Sequence, residues 1–246
     1  MGFAGRKHLR IDFSQRSALP EIIDDVRLDA GVMADVLRNL RTINRFLGGI
    51  STTVDALSRL LPPGDRPVRV LDVGAGGGDM ARQLIAWGRA RRRRVEVVSL
   101  DLSLAAAQFA RDELAGCAES AVVQADVFAL PFRDQCFDVA HCALFLHHFP
   151  QKVAARLLRA LYAVSRHGVI VNDLHRHPLA WAGIWVLTRA LGAHPVVQHD
   201  AALSVLRAFD RADLTDLSRT ADLPMEVRWR WAFRYQIVIR RAAVDC

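Results

Sequence analysis

The strongest constraint on the fold is a change of pattern near residue 68. From that point, short apolar runs rich in β-branched residues alternate with helical stretches. The runs are VRVLDV (68–73), VEVVSL (95–100), AVVQA (121–125), FDVAHCALF (137–145) and GVIVND (168–173). Continuous apolar strands separated by helices are typical of a parallel sheet that is covered on both faces. The chain is therefore predicted to be an α/β protein with a doubly wound sheet.

Helical patterns come before this alternation. Residues 19–48 space their apolar side chains mostly at threes and fours and stop at a pair of glycines. The stretch STTVDALSRLL then predicts a second short helix, with Ser51 as its N-cap. We therefore expect an N-terminal helical extension over residues 1–64, followed by a domain over residues 65–246.

The alternation is interrupted after the fifth strand. Residues 174–209 form an insertion that contains the apolar run PLAWAGIWVLTRALG, which predicts a cap. A helix with Asp210 as its N-cap follows. The closing segment MEVRWRWAFRYQIVIRR has two strand-like halves with no helix between them, and it predicts an antiparallel hairpin at the sheet edge.

Composition narrows the class of protein. The hydrophobic fraction of 52% and the length of 246 residues exclude a disordered or fibrous chain. The four cysteines show neither a C-x-x-C pair nor zinc spacing, so we expect no metal site, no disulfide framework and a cytoplasmic location. The net charge of +7 favours anionic partners in general, but by itself it does not make nucleic acid the preferred partner.

A glycine cluster lies where the first strand turns into the first helix of the sheet. Glycines at this place let the backbone approach a ligand closely, next to the free N–H groups of a helix N-terminus. The second strand ends in Asp101, whose carboxylate is placed to grip ribose hydroxyls, and Asp126 follows the third strand. Asp72 would repel a pyrophosphate and suits a cationic ligand instead. A weak G-x-G-x-x-A nicotinamide fingerprint also begins at Gly76.

These motifs together closely resemble those of class I S-adenosylmethionine-dependent methyltransferases. The stretch DVFALPF (126–132) with LHHF (146–149) is similar to the ubiquinone and menaquinone biosynthesis group. The resemblance covers about residues 65–175. It implies S-adenosylmethionine as cofactor, S-adenosylhomocysteine as product, and a seven-stranded Rossmann-like sheet with strand order 3-2-1-4-5-7-6. Carried over by position, it implies these cofactor-binding residues: Asp72, Gly74, Gly76, Gly78, Asp101, Leu102, Asp126, Val127, Cys142 and Ala143.

Methyl transfer needs a general base only when the acceptor starts protonated. Three histidines are candidates for that role: His148, His175 and His199. Residues expected to contact substrate lie on the N-terminal helix, on the loops after the fourth and fifth strands and on the apolar cap helix. They are Arg45, His147, Asp173, Trp181 and Trp185.

The preferred prediction is a secondary-metabolism enzyme that methylates a hydroxyl or an activated carbon of a hydrophobic phenol, quinol or polyketide. An RNA or protein methyltransferase, a nicotinamide-dependent reductase and a non-catalytic methyltransferase-like subunit remain as alternatives. The apolar cap helix and the basic charge also fit a peripheral membrane contact. A homodimer through the N-terminal helices or the C-terminal hairpin stays open, as does the acceptor atom.

Overall fold

The computed structural model describes residues 11–242. Its centre is a seven-stranded sheet in the order β3-β2-β1-β4-β5-β7-β6, which confirms the predicted fold class and strand order. The strands are β1 (Val68–Val73), β2 (Val95–Asp101), β3 (Ser120–Gln124), β4 (Phe137–Ala143), β5 (Ser165–Leu174), β6 (Glu226–Arg230) and β7 (Arg234–Arg240). The first five strands run parallel, and β7 pairs antiparallel with both β5 and β6. The predicted C-terminal hairpin is therefore confirmed.

Helices cover both faces of the sheet. They are α1 (Ala30–Phe46), α2 (Gly49–Leu60), α3 (Asp79–Ala90), α4 (Leu104–Glu113), α5 (Gln151–Val164), α6 (Pro178–Ala190), α7 (Pro195–Arg207) and α8 (Arg211–Ala221). One apolar cluster joins α5 and α8 to one face of the sheet, and a second joins α2 and α3 to the other. The parallel strands read as continuous apolar runs because both of their faces are buried.

Two details of the N-terminal prediction are wrong. Residues 19–48 do not form one helix: a 3-10 turn at Ile22–Asp24 comes first, and α1 begins after Asp29, which caps it. The carboxylate of Asp200 accepts the N–H groups of Ile22 and Ile23, so a tertiary contact holds this turn out of the helix. The N-cap of α2 is Gly48 at φ 69°, and Ser51 lies inside the helix.

The N-terminal helices and the cap insertion pack on each other. The cap consists of α6 and α7, and an apolar cluster joins them to α1. The buried members of that cluster are Val36, Ile43, Ala193 and Val197. Met33 and Leu37 of α1 also pack against α4. Both segments therefore lie over the carboxyl ends of the parallel strands. Asp210 caps α8 as predicted.

Among the described residues, Cys117, Cys136 and Cys142 are unpaired, and Cys246 lies outside the described range. No helix within residues 11–242 is long and apolar enough to span a bilayer.

Candidate functional site

A cavity of about 880 Å³ opens at the carboxyl ends of the parallel strands. Its floor is the sheet edge, and α1 and the cap helices form its walls. Ligands in open α/β sheets bind at this edge, next to the point where the strand order reverses. Here β1 lies between β2 and β4, so the reversal falls beside the glycine loop.

The glycine loop forms a cradle that side chains would fill. Gly74 and Gly76 adopt φ values of 65° and 51°, in the left-handed region that glycine tolerates best. A Cβ on Gly74 would lie 2.3 Å from the ring of Phe145, and one on Gly76 would lie 3.2 Å from Leu37 of α1. The loop therefore presents bare backbone to the cavity, as close contact with a ligand requires.

The second-strand carboxylate is fixed toward the loop. Asp101 accepts the N–H of Gly76 at 2.9 Å and the N–H of Ser103 at 3.0 Å. Burial raises its pKa, and these backbone donors oppose that rise. Both oxygens keep a free lone pair that can accept from ligand hydroxyls. Leu102 and Asp126 line the cavity beside it, and Asp126 also caps the 3-10 turn Val127–Ala129 by accepting the N–H of Phe128.

Asp72 belongs to a buried polar chain. Its Oδ1 lies 2.7 Å from Nδ1 of His141, and Nε2 of that ring lies 3.1 Å from the hydroxyl of Thr53. The other oxygen, Oδ2, is buried and has no hydrogen-bond partner among the described residues. A buried carboxylate oxygen without a partner, on the floor of the cavity, fits a ligand that carries positive charge.

These features fit S-adenosylmethionine. A sulfonium matches the free carboxylate oxygen of Asp72, a ribose matches Asp101, and the bare glycine backbone leaves room for the methionine chain. Six further predicted cofactor residues line the cavity: Gly74, Gly76, Leu102, Asp126, Val127 and Ala143.

Two predicted cofactor residues do not line the cavity. Gly78 takes φ 72° at the start of α3, and a Cβ there would meet Leu114 at 2.8 Å, so its role is close helix packing. Cys142 is fully buried in the apolar core beside β4. Its side chain points away from the cavity because alternate residues of a strand face opposite sides of the sheet.

His147 is held between two acids. Its Nδ1 lies 2.6 Å from Oδ1 of Asp173, and its Nε2 lies 3.5 Å from Oε1 of Glu21. Burial lowers the pKa of His147, but the two carboxylates more than offset this and raise it to about 10. The ring is therefore an imidazolium at neutral pH, which stabilises the loop after β4 and cannot act as a base.

The same site brings Glu21, His147 and His148 within reach of one another, with ligand atoms inside 4.8 Å. Metal coordination needs an imidazole lone pair; Nδ1 of His147 is hydrogen-bonded to Asp173, and Nε2 lies 3.5 Å from Glu21 without a hydrogen bond among the described residues, in a ring whose raised pKa keeps it protonated. We therefore describe this group as an acid–imidazolium cluster.

His148 is the histidine best placed for chemistry. Its ring lines the cavity, and its Nδ1 lies 2.7 Å from Oδ1 of Asp24. Arg207 and Arg16 bind the carbonyls of this loop and fix the ring position. When Nδ1 donates to Asp24, Nε2 is left as the proton acceptor, 3.9 Å from Oε2 of Glu21.

Other predicted site residues lie outside the cavity. His175 packs against Tyr235 and His177, and His199 is exposed beside Asp200. Arg45 is exposed on α1, where its neighbour Asn44 lines the cavity instead.

The cap contributes different residues from those predicted. Trp181 and Trp185 stack on each other with ring centroids 6.4 Å apart, and neither lines the cavity. The wall is formed by Ile184 and Leu187, which lie three residues apart on one face of the helix. Asp173 is buried behind His147 and does not line the cavity, whereas His147 does.

Sequence reasoning missed Arg234, a cavity residue at the start of β7. The only signal was a charged residue directly before an apolar strand, which ordinarily indicates a solvated strand end. Met33, Val36 and Leu40 of α1 were also missed as cavity residues because helical spacing does not say what a buried face covers.

Comparison with known proteins agrees with this geometry. The profile of a family described as "Methyltransferase domain" matches residues 70–168. A demethylmenaquinone methyltransferase of Roseiflexus sp. (strain RS-1) is 32% identical over 139 residues, which are 52% of this chain and 56% of the relative. A malonyl-[acyl-carrier protein] O-methyltransferase of Geobacter sulfurreducens is 40% identical over 83 residues, 34% of this chain and 30% of the relative. The chain thus spans about half the length of the first curated relatives that it matches.

Solved structures share the fold at low identity. A SAM-dependent methyltransferase from Aquifex aeolicus aligns with a TM-score of 0.60 at 14% identity, covering 88% of this chain and 100% of that chain. Human N-acetylserotonin methyltransferase in complex with SAM aligns with a TM-score of 0.61 at 16% identity, covering 87% of this chain and 57% of that chain. Residues 70–168 thus match a methyltransferase domain, and the strand order and the glycine cradle support a class I S-adenosylmethionine-dependent methyltransferase fold with S-adenosylmethionine as the cofactor.

Proposed function

We propose that this protein transfers the methyl group of S-adenosylmethionine to a hydroxyl or an activated carbon of a hydrophobic small molecule. One observation carries the proposal: a single cavity joins the glycine loop and Asp101 to an apolar chamber under the cap. That chamber is lined by Met33, Val36, Leu40, Ile43, Ile184, Leu187 and Val197. Such walls fit a phenol, quinol or polyketide better than a polar macromolecular substrate.

The cofactor, when bound, supplies an already activated methyl group. The protein therefore has to align the acceptor and keep water away, and alignment alone can lower a barrier by several kcal/mol. Asp101 and the glycine loop would hold the cofactor side, while Leu37 of α1 covers Gly76 and Gly77. The cap helices would close the acceptor side.

His148 would act as the general base for a hydroxyl acceptor. An unperturbed phenol has a pKa near about 10, so it is mostly protonated at neutral pH. Nε2 of His148 would take that proton, and Asp24 would stabilise the ring as it becomes charged. His147, already an imidazolium, fixes the loop that carries His148.

The names of the curated relatives support a small-molecule or carrier-bound acceptor. They describe a demethylmenaquinone methyltransferase and a malonyl-[acyl-carrier protein] O-methyltransferase. The two differ in the acceptor, so the matched region supports the reaction class and leaves the acceptor to experiment.

The test is a methyl-transfer assay on the whole chain. The protein is incubated with S-adenosylmethionine and a panel of hydrophobic phenols, naphthoquinols and polyketide hydroxyls, and products are separated by mass spectrometry. We expect an acceptor-dependent methylated product together with S-adenosylhomocysteine, neither of which forms without the cofactor. Methylation of bulk RNA or protein, with no transfer to any panel member, would contradict the small-molecule assignment.

We also propose that the cavity mouth contacts an anionic membrane. Leu179 and Trp231 line the cavity and are 65% and 75% exposed, and the net charge is +7. Exposed apolar groups at a cavity mouth, on a chain of net positive charge, fit a lipid interface that holds apolar substrates. Wild-type protein should co-sediment with phosphatidylglycerol vesicles, and Trp231→Ser should reduce this. Equal recovery with and without vesicles would contradict the proposal.

A further inference from the structure

Arg234 places a positive charge inside the cavity. It is the first residue of β7, its side chain is 1% exposed, and it lines the cavity wall. All its hydrogen-bond acceptors are neutral: the carbonyl of Leu47 at 3.0 Å, Oδ1 of Asn44 at 3.1 Å and Oδ1 of Asn172 at 3.4 Å. A guanidinium carries five N–H donors, so two are left.

No carboxylate of residues 11–242 forms an ion pair with this guanidinium, and Asp173, which attracts it from a distance, is itself bonded to His147. Within that range, no carboxylate oxygen comes within 4.0 Å of the guanidinium. The two other buried arginines of the described residues behave differently, because Arg176 contacts Asp210 and Asp213, and Arg207 contacts Asp24 at 3.1 Å. The other arginine in the cavity wall, Arg41, is paired with Asp79 and Glu113.

A buried charge without a counter-ion is expensive. Taking an ion out of water is energetically unfavourable, and neutral acceptors offset only part of that cost. Burial lowers the pKa of Arg234 to about 10 against the attraction of Asp173, so the group still keeps its proton at neutral pH. The charge therefore persists in the cavity and is available to an anionic ligand.

The surroundings define the kind of anion. Asn172 pairs with Ala143 across β4 and β5, so Arg234 lies on the side of the cavity next to the cofactor cradle. A Cβ on Gly49 would lie 3.9 Å from the guanidinium, and Gly49 begins α2 with no side-chain cap over its N–H groups. The walls under the cap are apolar, while acidic side chains line other parts of the same cavity: Asp72 and Asp101 at the cradle, and Glu21 and Asp24 beside the histidine loop.

We propose that Arg234 binds the carboxylate of an apolar organic acid, which defines the substrate class of this site. The inference rests on the proposed function for its link to methyl transfer. Arginine binds carboxylates through paired N–H groups, and the apolar walls would take the rest of the molecule. The methionine part of the cofactor also carries a carboxylate. The test therefore has to distinguish a substrate carboxylate from the cofactor carboxylate as the group that Arg234 binds.

The experiment measures binding to the whole chain by calorimetry. The probes are decanoate and decan-1-ol, which share an apolar chain and differ in charge. Wild-type protein should bind decanoate at least about tenfold more tightly than decan-1-ol. Arg234→Gln should reduce that ratio to about threefold or less, and Arg234→Lys should keep part of it. Arg228→Gln, a half-exposed arginine on β6, is the matched control and should leave the ratio unchanged.

A second pair of probes separates the cofactor from the substrate. S-adenosylhomocysteine carries a carboxylate, and 5′-methylthioadenosine lacks one. If Arg234→Gln weakens S-adenosylhomocysteine by about tenfold and leaves 5′-methylthioadenosine unchanged, Arg234 serves the cofactor and the proposal is overturned. Equal wild-type affinity for decanoate and decan-1-ol overturns it without any variant, even if Arg234→Gln does not fold. Failure of S-adenosylhomocysteine to bind wild-type protein would instead refute the proposed function and leave the decanoate result standing.

Discussion

Replacing Gly74 by alanine tests the cradle directly, because the structure gives the consequence and also a control. Gly74 and Gly192 have φ values of 65° and 58°, so alanine at either position meets the same left-handed backbone. A Cβ on Gly192 meets no atom of residues 11–242 within 4 Å, whereas one on Gly74 lies 2.3 Å and 2.5 Å from Cδ2 and Cγ of Phe145. The two variants therefore differ by the collision alone.

The magnitude follows from these contacts. The left-handed conformation costs about 1–2 kcal/mol for alanine. At Gly74 the collision includes Cγ, so the Phe145 ring must leave its place rather than tilt. It would lose its edge-on contact with Phe149, at 5.0 Å between centroids, and overpacking costs about 1–3 kcal/mol. We expect Gly192→Ala to destabilise the protein by about 1 kcal/mol and Gly74→Ala by about 3 kcal/mol.

The assay is urea unfolding followed by circular dichroism, with S-adenosylhomocysteine affinity measured on the same samples. Gly74→Ala should weaken the ligand by about tenfold or more, and Gly192→Ala should leave it unchanged. If the two variants unfold at the same urea concentration and bind equally well, the Phe145 contact does not shape the loop and the reasoning fails.

Two further predictions concern the histidine loop. The pKa of His147 rises from 6.5 to about 10 on folding, so its stabilising effect is complete below the unfolded value and is lost as pH rises toward the folded one. The free energy of unfolding of the wild-type protein should fall between about pH 7 and 10, by at most about 1.4 kcal/mol per pH unit. His147→Gln should remove that dependence on pH. Parallel curves of unfolding free energy against pH for the two proteins would contradict the pairing with Asp173. His148→Ala should lower turnover of a hydroxyl acceptor by about 100-fold and leave the affinity for S-adenosylhomocysteine unchanged. The control is His199→Ala, at an exposed histidine, which should change neither quantity. Equal losses of turnover in the two variants would refute the role of His148 as base.

Much of the fold was predictable because it depends on local pattern. The boundaries of β1 match the apolar run 68–73, and Asp210 caps its helix as its side chain suggests. The helix over residues 19–48 was over-extended, because the carboxylate of Asp200, far along the chain, fixes the turn before α1. No local pattern contains that contact.

The site was predictable where it follows the strand ends. Asp72, Asp101 and Asp126 all lie in the cavity wall, since the carboxyl ends of parallel strands meet at one edge. The cap was not predictable to the same degree. Its apolar helix is nearly uniform, so the sequence did not reveal that Ile184, and not Trp185, faces the cavity.

The most direct test of cofactor binding is calorimetric titration of S-adenosylhomocysteine and of NADH into the purified chain, with Asp101→Ala alongside. We predict micromolar binding of S-adenosylhomocysteine, no binding of NADH, and at least a tenfold loss in the variant, about 1.4 kcal/mol. Binding of NADH in place of S-adenosylhomocysteine, or an affinity that Asp101→Ala leaves unchanged, would contradict the site described for this protein.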